Sequence, residues 1–399
     1  MSKTWVTVLL LVPLLILGSH KPGGFHDDEG APLRLLPAEE SVLSVVEDFL
    51  AGPDERVLLR SNRLVQACRT AADAILADPG GSPQGEVMRA ALEHAGVTDA
   101  TTWPFTIPCG PEGPAADDIR GIVQAHVSGR PATHVGAGLS GMRDSTGRRL
   151  LVLLFVQRRV DLDPFPRSAA WGQSAALSGS VPEISGFPRV LLATPAGRVL
   201  DVDVYAGDGT RFWSPIPFGQ GPGRYIVEVL SSDRFGPQVA NLFPVYVGVP
   251  APTFPEVRVL RDDPPGAKAK ELEEQLVRFL NRDRKRFGVH ALRLDARLRQ
   301  AARAHSVDMA RRDYFGHRNP EGELAGGRLE RHGLAPVLHG EVICIATSAA
   351  KAHSDLMRSP SHRRAMLDSR MTHVGIGVIQ VGKGGGRRVV VTEEFGALP

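Results

Sequence analysis

Three segments between Asp313 and Leu367 decide how this chain reads: Asp313-Tyr-Phe-Gly-His-Arg-Asn-Pro-Glu-Gly322, His339-Gly-Glu-Val-Ile343 and Leu356-Met-Arg-Ser-Pro-Ser-His-Arg-Arg-Ala-Met-Leu367. Each carries one polar residue in a defined local setting: His317, Glu341 and His362. Two imidazoles and a carboxylate can hold a divalent cation, pass a proton, or hydrogen-bond one another at the bottom of a cleft. His317 and His362 lie on separate segments, so they are not the i, i+4 helical pair of a His-Glu-x-x-His site. Any shared site has to be assembled by the fold.

These segments belong to an ordered set: Leu280-Asn281, Leu294-Asp295, the helix Ala301 to Ala310, Phe315-Gly-His317, Gly340-Glu341, Ser359-Pro-Ser-His-Arg363, Val374-Gly-Ile-Gly-Val378 and Thr392 to Phe395. With these pieces in this order, residues 267–399 resemble the CAP or SCP superfamily of cysteine-rich secretory, antigen-five and pathogenesis-related proteins, in its bacterial secreted branch. The resemblance implies a three-layer α/β/α sandwich with a cleft lined by two histidines and one or two acids, which in some members binds zinc or another divalent cation. Carried over by motif, His317 and His362 are the imidazoles and the possible metal ligands, and Glu341 is the first acid and a weaker ligand candidate. For the second acid the window before His362 offers only Asp355, and Glu393, where bacterial members often carry Gln, is the candidate stand-in. The chain departs from the pattern at Val342, at Ser361 and in having no Trp before Ser359. Among the remaining histidines, His305 reads as a surface or packing residue, His332, His339 and His353 match no family position, and His373 reads as structural.

Lys and Arg (47) nearly balance Asp and Glu (44), for a net charge of +3 with both signs interspersed. That excludes a nucleic-acid-binding footprint. Residues 1–19 hold a twelve-residue apolar run, Val6 to Leu17, too short for a comfortable span and suited to a signal peptide or N-terminal anchor. Export, with membrane attachment through this segment as an option, is the expectation. Three cysteines make no disulfide framework. In an exported protein Cys68 and Cys109 could pair, leaving Cys344 as a core thiol.

Residues 20–37, rich in Gly, Pro and charge, read as a flexible linker. Residues 38–165 open with helices at Glu39 to Leu50, Arg56 to Asp78 and Glu86 to Ala95 and end in an apolar strand at Leu150 to Val156. This region reads as a worn copy of the last one. Thr133-His-Val-Gly-Ala-Gly138 matches Thr372-His-Val-Gly-Ile-Gly377, and each Thr is followed fifteen residues later by Arg-Arg and an aliphatic run. Arg63 to Arg69 parallels Arg297 to Arg303, and Leu92 to Val97 parallels Leu329 to Leu334, but the three polar motifs have no counterpart in the copy. Residues 169–250 switch to short β-type runs between turns and suggest an immunoglobulin-like sandwich. A Pro-rich linker at 251–266 leads into residues 267–399, whose elements are an opening helix at Lys268 to Phe287, a second at Asp295 to Arg312, a central strand after Glu341 and closing strands joined by a hairpin at Gly382 to Gly386.

The reading is an exported protein of α/β class: a degenerate CAP-like domain, a β-sandwich and a C-terminal CAP-type domain, acting in the extracellular space or cell envelope as a binding module for a lipid, a peptide or a wall component. A metal-dependent hydrolase and a structural scaffold with a relic cleft are the alternatives.

Overall fold

A computed structural model of the protein describes residue 25 and residues 33–51, 57–78, 84–182, 186–255, 257, 260, 263–264, 266–382 and 387–398. The apolar segment read as a targeting signal and residues 383–386 of the Gly hairpin lie outside the described residues.

The first α/β unit contains α1 (Pro37–Leu50), β1 (Leu59–Arg60), α2 (Asn62–Ala77), α3 (Gln84–Ala95), β2 (Thr101–Cys109), α4 (Ala116–His126), β3 (His134–Leu139) and β4 (Arg149–Gln157). Pro37 supplies the pre-set first turn of α1, and the Glu39 carboxylate accepts the Leu36 N–H at 2.8 Å, completing the cap. The strands are ordered β1-β3-β4-β2. The sheet is apolar on both faces: Leu151, Leu153 and Phe155 pack with α1 and α4, whereas Val152, Leu154 and Val156 pack with α2 and α3. Cys109 belongs to the first of these cores and Cys68 to the second, so the sheet separates them and both are free thiols. The pairing considered from sequence is corrected.

Next come β5 (Asp161–Leu162), β6 (Ser168–Ala169), β7 (Ser174–Ser180), β8 (Arg189–Ala193), β9 (Val199–Val202), β10 (Tyr205–Ala206), β11 (Arg211–Pro217), β12 (Gly223–Asp233) and β13 (Gly236–Val247). They form two sheets, β10-β11-β7-β5 and β6-β13-β12-β8-β9, sharing a core to which Leu177, Phe212 and Ile216 contribute from one side and Val227, Val229 and Phe243 from the other. The linker read at 20–37 is not a free tether throughout. Phe25 is buried in this core and exchanges two backbone hydrogen bonds with Phe165, each 2.8 Å. One large aromatic in a polar stretch is enough to anchor it, since burying such a side chain is worth about 2 kcal/mol.

The last unit holds α5 (Ala269–Arg286), β14 (Arg293–Leu294), α6 (Ala296–Arg312), α7 (Ala325–Arg331), β15 (His339–Ala346), α8 (Ala349–Arg358), α9 (Pro360–Met366), β16 (His373–Val381) and β17 (Arg388–Gly396). The sheet runs β14-β16-β17-β15. Leu272, Leu276 and Leu280 of α5 join Ala349, Ala352 and Leu356 of α8 over one face, and Leu298 and Ala301 of α6 meet Leu329 of α7 on the other. This is the three-layer α/β/α sandwich. The strand after Glu341, expected at the centre, is β15 at the edge. Its apolar run reflects packing on both faces, Val342 and Ala346 in the core under α5 and α8 and Ile343 against Met309 of α6, with Ile345 left exposed, a pattern that periodicity cannot distinguish from a central position.

The two α/β units match strand for strand. β1 pairs parallel with β3 through Leu59↔His134, and β14 pairs parallel with β16 through Arg293↔His373. β4 lies between β3 and β2 as β17 lies between β16 and β15, antiparallel to both neighbours in each case. Details repeat as well. Glu39 binds Arg69 and accepts the Leu139 N–H, and Glu273 binds Arg303 and accepts the Val378 N–H. Thr133 bonds His134 Nδ1 at 2.9 Å, and Thr372 bonds His373 Nδ1 at 2.8 Å. A Cβ on Gly138 would stand 2.3 Å from Arg69 N, and one on Gly377 2.2 Å from Arg303 N, because helix and strand backbones touch at both places. Gly377→Ala is therefore expected to cost about 3 kcal/mol, read as a lower urea midpoint. Gly121→Ala, in a helix with nothing near the added methyl, is the control and should be neutral or stabilising.

The units are joined by specific contacts. The hairpin between β12 and β13 sits on the Phe-Gly-His segment: Phe235 stacks on Tyr314 at 5.5 Å, and its carbonyl accepts the Arg318 N–H at 2.9 Å. The buried Glu228 of β12 accepts the Ser361 N–H at 2.7 Å and the Ser359 hydroxyl. Lys351 of α8 pairs with Glu86 of α3 at 3.0 Å.

Candidate functional site

His317 leaves the turn after α6, which ends on Asp313 in the left-handed conformation. Its ring donates from Nδ1 to Glu341 Oε1 at 2.8 Å, leaving Nε2 free of this bond. Glu341, on β15, faces the α6 layer, and its side chain is 3% exposed. Its other oxygen accepts from Arg328 Nη2 at 2.5 Å, and Arg328 also donates to the His317 carbonyl at 3.1 Å. Burial opposes ionisation of Glu341, but the bond from His317 and the charge of Arg328 outweigh it and hold the carboxyl down at about 2. His305, 1% exposed, donates Nε2–H to the Gly316 carbonyl at 3.0 Å and lies 3.7 Å from Glu341. It packs and orients the turn that carries His317, so of the surface and packing readings the buried one holds.

His362 comes from the first turn of α9, which Ser359 caps and Pro360 opens. Burial, with the charge of His317 adding to it, depresses its imidazole to about 3, so it is neutral at any physiological pH. His317, Glu341 and His362 all line one cavity of about 2090 Å³. The same cavity is bounded by Trp103 and Pro104 of the first unit and by Asp233 and Phe235 of the sandwich. The cleft of the last unit is therefore walled by all three.

Glu393 is placed elsewhere. It points into the apolar layer between the sheet and α5/α8, with no hydrogen-bond partner for either oxygen among the described residues, and burial pushes its carboxyl up to about 8. The acid beside Glu341 is its chain neighbour Glu394, opposite Glu341 in the β15–β17 register. Burial first, then the charge of Glu341, raises Glu394 well above the carboxylate range and keeps it neutral. Glu-Glu inside the apolar run Val389 to Phe395 was the available signal, because adjacent strand residues face opposite sides and both faces are covered. Arg328 had no such signal.

A resident divalent cation needs more than this arrangement offers. Both Glu341 oxygens are engaged, one by a guanidinium, which leaves two imidazoles. Among the described residues no group of three or more His, Cys, Asp or Glu is placed to hold a metal ion. The residues do not fit a resident metal centre with Glu341 as a ligand, and Glu341 acts by orienting His317.

Residues 277–395 match the model of the Cysteine-rich secretory protein family, CAP. The C-terminal domain is a CAP domain. A curated relative, the uncharacterized protein YkwD of Bacillus subtilis, is 29% identical over 111 residues, 28% of this chain and 43% of that protein. The chain thus spans less than half of that relative's length. Among solved structures, an extracellular protein containing a SCP domain from Bacillus anthracis is similar at 19% identity and a TM-score of 0.30, over 44% of this chain and 64% of that one. An outer surface protein from Borrelia burgdorferi is similar at 18% identity and a TM-score of 0.30, over 33% of this chain and 97% of that one. Outside the CAP domain, as within it, no helix among the described residues is long and apolar enough to cross a membrane.

Proposed function

We propose that this is an exported binding module whose CAP-domain cleft takes a ligand from the extracellular space or cell envelope. One comparison within the molecule carries this reading. The register aligns Glu341 with Pro104 and Glu394 with Leu154, and the matched helices align His305 with Ala71 and Arg328 with Ala91. The same fold thus stands in the first unit with apolar residues at all four positions. Buried ionic groups are a poor source of stability, so a cluster that the fold can do without is retained for what it does to His317. It fixes the ring and aims Nε2 at a cavity shared with two other domains.

The test is co-sedimentation of the purified protein with isolated bacterial cell envelopes. The wild type is expected to sediment with them. His317→Ala and His362→Ala should each weaken binding at least about tenfold; His362→Ala should cost less than about 1 kcal/mol of stability, and His317→Ala, which removes a hydrogen bond to the buried Glu341 carboxylate, about 2 kcal/mol. Equal sedimentation of both variants and wild type, or no sedimentation at all, would overturn the proposal.

A further inference from the structure

We infer that the cavity beside the histidines is built to take an extended polypeptide segment, which adds as a strand to the free edge of β15. This names the ligand class for the binding module and rests on that reading.

Three observations meet here. The whole of β15, from His339 through Ala346, lines the cavity without interruption, so it is the strand's edge that faces the open space. Ala397 N–H donates to the Leu338 carbonyl at 2.8 Å, which sets the phase of the β15–β17 ladder. Bonded and non-bonded pairs alternate from there, so the N–H and C=O groups of Glu341, Ile343 and Ile345 point away from β17 on the cavity side, with Ile343 at the buried middle of the row and Ile345 at its exposed end. Among the described residues these groups take part in no backbone hydrogen bond to a turn, loop or other element. Ile345, moreover, presents an exposed aliphatic side chain there, at 43%.

The equivalent edge in the first unit is closed. β2 carries Pro104 and Pro108, aligned by register with Glu341 and Ile345. Proline has no N–H and is accepted in a ladder only where that N–H would face outward, which agrees independently with the phase. At its start this edge also meets the sandwich, where Ala100 N–H bonds the Ala240 carbonyl at 2.9 Å. Proteins ordinarily blunt an exposed edge with proline, charge or a bulge. The copy without the polar cluster is blunted by proline, and the edge beside His317 and His362 has no proline and no bulge. An extended peptide pairing with residues 341, 343 and 345 would satisfy the free donors and acceptors, and the side chains along the cavity would select its sequence. One end of that strand would lie against the two imidazoles.

The experiment uses the full chain against an immobilised hexapeptide library, followed by solution affinity for the best peptide and for versions N-methylated at alternate residues. Ile345→Pro removes one outward donor at a position where the copy tolerates proline, so the fold is kept, as a circular dichroism melt will show. It should weaken the selected peptide at least about tenfold, whereas Ile345→Val should leave binding within about threefold. N-methylation in one alternating register should abolish binding and in the other leave it intact. If Ile345→Pro binds as well as wild type, or both N-methylated registers bind alike, strand addition is wrong. If no peptide binds while envelope binding still depends on His317 and His362, the peptide class falls and the binding module stands. Loss of both brings down both.

Discussion

Replacing Glu341 with Ala is expected to lower the stability of the CAP domain by about 3–5 kcal/mol. The carboxylate lies between Arg328 and His317, both bonded to it, with His305 3.7 Å away. Arg328 is itself 3% exposed. Without Glu341 that guanidinium keeps only carbonyl partners, and an uncompensated buried charge costs far more than the intact pair contributes. The loss should appear as a lower urea midpoint with an unchanged slope. Making the same place apolar, with His305→Ala, Arg328→Ala and Glu394→Leu taken from the N-terminal unit and Glu341→Leu in place of its Pro104, should recover more than half of it, because that unit folds with an apolar interior there. The recovered protein should still fail to bind envelopes. A Glu341→Ala protein as stable as wild type would mean that the buried cluster is not ionised as described.

Glu393→Leu is expected to act in the opposite direction, stabilising the protein by about 3 kcal/mol at pH 7, with the gain fading toward pH 4.5. Burial raises the folded-state value of Glu393 to about 8 from an ordinary 4.5. Between those values the folded chain keeps the proton that the unfolded chain releases. The stability associated with this group is therefore complete below about pH 4.5 and is lost as pH rises through about 8. Leucine has no proton to hold and is the residue that the first unit carries at the equivalent place, Leu153, opposite Phe105 as Glu393 is opposite Val342. Urea midpoints of both proteins at pH 5, 6, 7 and 8 give the comparison. A difference that does not change with pH would show that Glu393 is not held neutral. Since Glu393 faces away from the cavity, envelope binding at pH 7 should be unaffected.

What could be read from the sequence is what local pattern encodes. The α5 and α6 helices announce themselves through apolar spacing and, for α6, the Asp295 cap, and α9 through Ser359-Pro360. His317, Glu341 and His362 stood out because each sits in a short motif at the end of an element. The kinship of the two α/β units was also legible, because the Gly-x-Gly contacts with a helix tolerate so little change that Thr-His-Val-Gly survives in both. Strand β2 carried no local signal, since proline counts against a strand until a sheet supplies an edge on which the missing N–H does no harm. β15 read as central because coverage of both faces looks the same at an edge as in the middle of a sheet.

Tertiary structure alone decided which acid meets which histidine. Glu393 and Glu394 are neighbours in the chain, yet the strand period sends one into an apolar layer and the other to Glu341. Arg328 and His305 reach the site from helices whose sequences give no hint of it. The walls contributed by Trp103 and Phe235 come from other domains altogether, placed there by hydrogen bonds and ion pairs between residues more than a hundred positions apart, such as Glu228 with Ser361. Sequence determines the pieces and their local ends; the burial of a charge, the free edge of a strand and the shape of a shared cavity exist only once the pieces are packed.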